Sequence, residues 1–253
     1  MNILTIDTTT AVTALSLCTG ARLTGESFLH TERPHSERVL PLIEQLLDSC
    51  GLRPADLDLI GVARGPGSFT GIRIGIATAQ GLAQALGIPA LGLCSLDIMS
   101  WAGWGRPEDI VVLLDARRDE WYMARYRWAS GEDGWRREPL EAPQAVAVSA
   151  LAARLAARPG DVILAGDGAE RAGRELAGVP GARVRALPPE AALARGAYAA
   201  REARRCLAQG APSGEGAALW QVEPYYIRLP EAEVRARARA AGEAAGGRDA
   251  GAE

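Results

Sequence analysis

The stretch of this sequence with the most chemical content is GVARGPGSFTGIRIGIATAQGLAQAL, residues 61–86. It joins an apolar lead-in, a loop of Gly, Pro, Ser and Thr, and a helical pattern of small and apolar residues. Free backbone N–H groups at the start of a helix after such a loop can bind a phosphate or another anion. The residues that we assign to a possible anion- or nucleotide-contacting loop are Gly65, Gly67, Ser68, Thr70, Gly71 and Arg73.

Two known phosphate-binding loops differ from this one. The Walker A loop requires a Lys before its Ser or Thr, and all 28 basic residues of this chain are Arg. The dinucleotide-binding loop has the spacing G-x-G-x-x-G, whereas Gly65, Gly67 and Gly71 give a spacing that is one residue longer. A nicotinamide enzyme stays an alternative, and so does a plain strand-to-helix turn that needs glycine for its geometry. Phe69 at the loop tip predicts contact with another element or another protein.

Metal ligands and nucleophiles have no convincing spacing in this sequence. His30 and His35 are five residues apart with Pro34 between them, and residues at i and i+5 do not share a helix face. The four cysteines are widely separated, which indicates reduced core residues rather than a metal or redox motif. No G-x-S-x-G motif is present. We therefore predict neither a catalytic residue nor a metal site.

Composition limits the classes of protein that fit. The chain has 253 residues, of which 48% are hydrophobic, enough for one large domain or two ordinary ones. The net charge of -3 argues against a dedicated nucleic-acid binder. The N-terminus has no basic region before its apolar run, so it is not a signal peptide. Residues 74–96 lack charge, but Gly and Pro interrupt them, which favours a helix and a buried strand over a membrane span.

The elements around the loop follow an order that occurs twice. Three short strands form a meander, followed by a helix over residues 36–50 with Ser36 as its N-cap, a buried strand, and the loop with its helix. From residue 110, three strands are again followed by a helix, a buried strand and a second helix, and one long helix is predicted near residues 190–209. The repeated βββαβα order predicts an α/β duplication with a cleft between its halves.

Several motifs in this sequence resemble those of one known family. MNILTIDTTT, HSERVLPLIEQLL, ARGPGSFTGIRIGIATAQGLA, LDARRDEWY, LAGDGA and VEPYYIRLP occur in the order expected for the TsaB family, also called YeaZ, over about residues 1–230. The resemblance implies an α/β fold of the ASKHA class, an actin/Hsp70/sugar-kinase-like duplication of two βββαβα RNase H-like units. We expect a first unit over residues 1–105, a second over 106–230 whose long helix packs back on the first, and a disordered tail over 231–253.

The resemblance also identifies a cleft whose nucleotide-binding set is incomplete. The loop at Asp115, Ala116 and Arg117 lacks the Gly that would let backbone approach a phosphate, and Asp7 either contacts phosphate or only caps local N–H groups. We expect no cofactor of its own, with ATP and metal belonging to the partner complex. The degenerate phosphate and adenosine positions of the cleft are Asp7, Thr8, Thr9, Asp115, Gly166 and Gly168.

The function implied by the resemblance is that of an accessory subunit rather than an enzyme. With the larger paralogue TsaD and with TsaE, it would support transfer of threonylcarbamoyl from threonylcarbamoyl-AMP to N6 of the tRNA adenosine next to the anticodon, in ANN-decoding tRNAs. The expected partners are TsaD in a heterodimer, TsaE in the larger complex, a second copy when TsaD is absent, and tRNA indirectly. A cytoplasmic location without a membrane is expected.

The two helices over residues 36–50 and 73–86 are expected to bind TsaD. Small residues along the second would allow close helix approach, and large apolar residues on the first would pack beside it. The predicted interface residues are Val39, Leu42, Ile43, Leu46, Ile76, Thr78, Ala79 and Leu82. The alternative is that both helices only cover their own sheet. An independent ATP-dependent kinase-like or hydrolytic enzyme of the ASKHA fold is the alternative function.

Overall fold

The first unit is built on a five-stranded sheet. In the computed structural model, which describes residues 1–30, 34–131, 134–211 and 221–228, the sheet has the order β3-β2-β1-β4-β5. The β1–β2–β3 meander is antiparallel, and β4 and β5 run parallel to β1, which buries the central strands on both faces. The strands are β1 (Asn2–Asp7), β2 (Val12–Thr19), β3 (Arg22–His30), β4 (Leu59–Ala63) and β5 (Ala90–Leu93).

The helices of the first unit are α1 (His35–Ser49), α2 (Phe69–Leu86) and α3 (Ser95–Met99). The expectation that Ser36 caps α1 is wrong, because α1 begins one residue earlier and Pro34 is its N-cap. His35 fixes this start, since its ring contacts Thr13 Oγ1 at 2.7 Å and the Thr10 carbonyl oxygen at 2.8 Å. That contact also ties α1 to the turn after β1.

The second unit repeats the first. Its sheet has the order β10-β9-β6-β7-β8, which matches the first sheet strand for strand. The strands are β6 (Asp109–Asp115), β7 (Glu120–Gly131), β8 (Gly134–Ala147), β9 (Gly160–Ala165) and β10 (Ala182–Ala186). The helices are α4 (Val148–Ala156), α5 (Ala169–Glu175), α6 (Pro189–Ala192) and α7 (Gly196–Ala208). The matching orders confirm the predicted duplication and the ASKHA fold.

The predicted long helix near residues 190–209 is two helices, α6 and α7. Arg195 between them is extended, with φ -123° and ψ 140°. Glu26 of β3 accounts for the break, because it accepts a hydrogen bond from Ala197 N at 3.1 Å and pairs with Arg195 at 2.8 Å. α7 then packs on β1 and β2, so this helix from late in the chain covers the first sheet.

A buried network of charges joins the two units. Glu202 of α7 receives two hydrogen bonds from Arg137 of β8, at 3.0 and 3.1 Å. Burial alone would raise the pKa of Glu202, but its contacts with Arg205, Arg137 and Trp101 outweigh burial and hold that pKa below its ordinary value. The network therefore fixes the second sheet against α7 and the first unit.

Two expectations concern the ends and surfaces of the chain. The predicted tail, residues 231–253, lies outside the described residues. Among the helices that the structure describes, none has both the length and the apolar character needed to cross a membrane.

Candidate functional site

The glycine loop lies directly against the turn that follows β1. Ser68 N donates to the Thr9 carbonyl oxygen at 2.7 Å, and Thr8 Oγ1 donates to the Gly71 carbonyl oxygen at 2.8 Å. A Cβ added at Gly67 would collide with the Thr9 carbonyl oxygen, and one at Gly71 with that of Thr8. The glycines are therefore required by the close contact between the loop and this turn.

That contact uses part of the predicted anion site at the start of α2. The Ser68 hydroxyl caps the helix by accepting a hydrogen bond from Gly71 N at 3.3 Å, while Ser68 N is bound to Thr9. The Arg73 guanidinium lies 3.9 Å from the centre of the Phe69 ring, and Thr70 is exposed. The structure brings the predicted loop residues together, but several of their donors bind within the chain. Anion binding here stays a prediction.

Asp7 is fully buried at the end of β1. Its Oδ1 accepts hydrogen bonds from Thr9 N at 2.9 Å and from Thr9 Oγ1 at 2.7 Å, which is the local capping role considered from the sequence. Its Oδ2 has no hydrogen-bond partner among the described residues. Burial raises the pKa of this carboxyl, since removal from water disfavours the charged form. The unpartnered oxygen is the feature of the cleft that favours a ligand.

The corresponding loop of the second unit presents carboxylates. Asp115 N donates to Asp167 Oδ1 at 2.9 Å, and Arg117 N donates to Asp115 Oδ1 at 2.8 Å. Asp115 at the end of β6 and Asp167 after β9 thus lie side by side, and two neighbouring acids disfavour a phosphate because like charges repel. A Cβ at Gly168 would enter the Trp121 ring, and one at Gly166 would collide with the Leu113 carbonyl oxygen. Packing within the second unit therefore accounts for both glycines.

A segment that the sequence analysis did not place, residues 221–228, connects the two loops. Tyr225 N donates to the Arg64 carbonyl oxygen at 2.7 Å, and the Tyr226 ring packs against Phe69 with centroids 5.3 Å apart. Arg228 pairs with Glu120 of β7 at 2.6 Å. The contact predicted for Phe69 is thus made by another element of the same chain. In the sequence the motif VEPYYIRLP contributed only to the family resemblance, and nothing in its spacing revealed where it lies.

The residues predicted for the partner interface divide into two groups. Those that are buried in the core of the first unit, and so do not form an outward surface, are Val39, Ile43, Leu46, Ile76 and Ala79. Those that are partly exposed are Leu42, Thr78 and Leu82. Helical spacing identified an apolar face, and the sheet beneath covers most of it. Any partner contact of α1 and α2 must use the residues that these helices expose.

The exposed side of α2 is made of small and polar residues. Ala77, Gly81, Gln84 and Ala85 are exposed, and a Cβ at Gly81 would meet no atom within 4 Å. On α1, the side chain of Leu40 is 48% exposed. Sequence reasoning listed the small residues of α2 but did not separate the exposed ones from those that face the sheet.

A cavity of about 330 Å³ lies away from these residues, at the starts of β6 and β9. Charged residues at this cavity form ion pairs with each other or with nearby residues. Arg127 contacts Asp109 at 2.7 Å, and the buried Arg125 contacts Asp109 at 2.6 Å. The sequence analysis selected none of its lining residues as a site. The cavity therefore adds no residue to the candidate cleft.

Several proteins that match this chain in sequence are named for one tRNA modification. A family model described as TsaD, tRNA N6-adenosine threonylcarbamoyltransferase, matches residues 29–152. The tRNA threonylcarbamoyladenosine biosynthesis protein TsaB of Escherichia coli (strain K12) is 36% identical over 145 residues, which cover 56% of this chain and 62% of that protein. TsaB of Bacillus subtilis (strain 168) is 36% identical over 131 residues, which cover 52% of this chain and 57% of that protein. The chain thus spans about three fifths of the length of these curated relatives.

A solved structure extends the likeness to both units. YeaZ from Pseudomonas aeruginosa superposes with a TM-score of 0.67 at 30% sequence identity, covering 89% of this chain and 99% of that chain. This agreement includes the duplicated sheets and confirms the resemblance inferred from the motifs. The chain belongs to the TsaB family, also called YeaZ.

Proposed function

We propose that this chain is a non-catalytic accessory subunit in the synthesis of threonylcarbamoyladenosine on tRNA. The relatives in Escherichia coli and Bacillus subtilis carry the name of that biosynthesis. In this proposal the chain pairs with TsaD and, with TsaE, supports transfer of threonylcarbamoyl from threonylcarbamoyl-AMP to N6 of the adenosine next to the anticodon. In the absence of TsaD, two copies of the chain pair through the same surface.

The exposed face of α2 is the observation that carries this proposal. Gly81 lies inside the helix, where Gly is less favourable than Ala by about 1 kcal/mol. Nothing within 4 Å of a Cβ at this position requires the glycine. With Ala77 and Ala85, it leaves a shallow surface on which a partner helix can approach closely.

The contacts in the cleft support the view that catalysis belongs to the partner complex. Thr9 occupies one oxygen of Asp7, and the ends of β6 and β9 in the second unit present Asp115 and Asp167 where a phosphate would need donors. We therefore propose that ATP and metal are held by the partner proteins, and that this chain has no turnover of its own.

Matched arginine substitutions test the surface. Ala77→Arg places a long charged side chain on the exposed face of α2, and Ala153→Arg makes the same change on the exposed face of α4. We expect Ala77→Arg to abolish both co-purification with TsaD and self-association by light scattering, while Ala153→Arg retains both. Ile76 is unsuitable for this test, because it is buried and a charge there would unfold the chain.

Two outcomes test the proposed α2 surface and the proposed function separately. If Ala77→Arg retains both assemblies, the α2 surface is wrong. If the unsubstituted chain captures no TsaD and restores no tRNA modification in the presence of TsaD and TsaE, the proposed function is wrong.

An independent ATP-dependent enzyme of the kinase-like or hydrolytic kind is the second candidate, and the unpartnered Oδ2 of Asp7 favours it. Calorimetry with ATP and Mg²⁺ distinguishes the two. If the chain is such an enzyme, it should give a saturable heat of binding that Asp7→Asn removes. If it is an accessory subunit, neither the unsubstituted chain nor Asp7→Asn should give heat.

A further inference from the structure

A basic and aromatic surface surrounds the outer side of α7, away from the face that packs on the first sheet. The acid of α7, Glu202, is buried, whereas Arg201 and Arg204 are exposed on the outer side. Trp104, in the connection between α3 and β6, is 45% exposed. Since the whole chain carries a net charge of -3, this concentration of positive charge is a local departure.

Aromatic rings and one guanidinium form a continuous cluster at this surface. The buried Trp128 lies 4.6 Å from Trp101 by ring centroids. The Arg201 guanidinium carbon lies 5.6 Å from the Trp101 ring and 4.4 Å from the Trp104 ring. This cluster therefore extends from the core to the surface, where the exposed Trp104 ring forms its outer end.

The arginines of this surface carry charge that the described residues do not neutralise. In the part of the chain that the structure describes, Arg106, Arg201 and Arg204 form no ion pair with a carboxylate. Two neighbouring arginines do form ion pairs: Arg195 pairs with Glu26 at 2.8 Å, and Arg205 pairs with Glu202 at 2.7 Å.

Tyr198 of α7 lies within the electrostatic influence of several of these arginines. Burial raises the pKa of Tyr198, and the positive charges of Arg195, Arg106 and Arg201 oppose that rise. Arg204 lies almost one turn further along α7, where it donates to the Ala21 carbonyl oxygen at 2.8 Å. The Arg201 guanidinium thus lies beside the exposed tryptophan, and Arg204 follows it on the same exposed side of α7.

We propose that Trp104, Arg106, Arg201 and Arg204 form a direct contact surface for RNA. The exposed Trp104 ring would stack on an unpaired base, and the arginines would contact phosphates. Aromatic side chains combined with arginines are the usual means by which proteins hold single-stranded RNA and splayed loop bases. An acidic protein could form ion pairs with the arginines, but it would give the aromatic cluster no role. The choice of tRNA as the RNA rests on the proposed function, which by itself requires no RNA contact by this chain.

Fluorescence anisotropy of the full chain with a labelled transcript of an ANN-decoding tRNA tests the surface. Over about 50 to 200 mM salt, we expect the double variant Arg201→Gln/Arg204→Gln to bind less tightly and to lower the salt slope by about 1.4, or about 0.7 per phosphate contact. We expect Trp104→Ala to weaken binding about tenfold without changing that slope, because a stacked base carries no charge. Trp104→Phe keeps a stacking ring and should retain most of the affinity.

A control and a competitor complete the test. The control Arg53→Gln/Arg174→Gln removes two exposed charges outside this surface. It should change neither the affinity for the tRNA nor the salt slope. Absence of binding by the unsubstituted chain at the lowest salt overturns the proposal. Equal displacement of the tRNA by poly-glutamate, with no effect of Trp104→Ala, also overturns it and assigns the surface to an acidic protein. TsaD capture by the same variants should be unchanged, so failure here leaves the proposed function standing.

Discussion

At the scale of single residues, the glycine loop is explained by what lies against it. The Thr8–Thr9 backbone occupies the space where a side chain on Gly71 or Gly67 would stand. The same contact uses Ser68 N, which a phosphate would otherwise have found free. A loop that looks like a phosphate cradle by composition therefore serves first to hold the turn after β1 against α2.

Gly71→Ala should destabilise the chain by about 3 kcal/mol, because the added methyl group meets the Thr8 carbonyl oxygen and the backbone has to shift. Urea unfolding followed by tryptophan fluorescence measures this change. A loss smaller than about 0.5 kcal/mol, the range of ordinary surface substitutions, would contradict the assigned contact.

At the scale of elements, α2 has two different sides. One side packs Ile72, Ile76 and Ala79 into the core of the first unit. The other exposes Ala77 and Gly81, and a Cβ at Gly81 would meet no atom within 4 Å. A helix with a buried apolar side and a second, small-residue side is suited to joining its own sheet and a partner at once.

Gly81→Ala should stabilise the chain by about 1 kcal/mol, because Ala is the better helix former and the position is open. The same urea titration measures the gain, and its sign is opposite to that expected for Gly71→Ala on the same helix. A loss of stability on Gly81→Ala would show that the chain itself needs this glycine.

At the scale of the whole molecule, the buried pair of Glu202 and Arg137 links the second sheet to α7, the helix that covers the first sheet. Both oxygens of Glu202 are bonded to Arg137, and Trp101 and Arg205 complete its contacts. Removing one partner of a buried pair leaves the other charge without compensation, which is costly. The pair therefore ties the second sheet to α7, which covers the first sheet, and Trp101 of the first unit donates to the same carboxylate.

Glu202→Gln should lower the free energy of unfolding by about 3 kcal/mol at neutral pH. Because the pKa of Glu202 is lowered in the folded state, its contribution is present above the ordinary value of 4.5 and is lost as the pH falls through the folded pKa. The difference between the two proteins should therefore shrink toward acid pH, as measured by urea unfolding across that range.

The matched control is Glu170→Gln, since Glu170 pairs with Arg174 on the exposed surface of α5. Exposed pairs contribute little, so we expect a loss of at most about 0.5 kcal/mol. Equal losses for the two substitutions would contradict the role assigned to Glu202.

The sequence by itself determined the order of the elements, the duplication and the family. Strand and helix periodicity with turn residues is local, so it can be read without knowing what packs against what. The position of the glycine loop between β4 and α2 was predictable because it too depends on local patterns.

Only the tertiary structure decided which partner each feature has. Val39, Ile43 and Ile76 were predicted at an interface, yet they pack in the core, because an apolar helix face does not reveal what covers it. The break before α7 depends on Glu26, which lies 169 residues from Arg195 in sequence. The contact of Phe69 with Tyr226 likewise joins distant parts of the chain. Such contacts arise from chain topology and packing, which local sequence patterns do not encode.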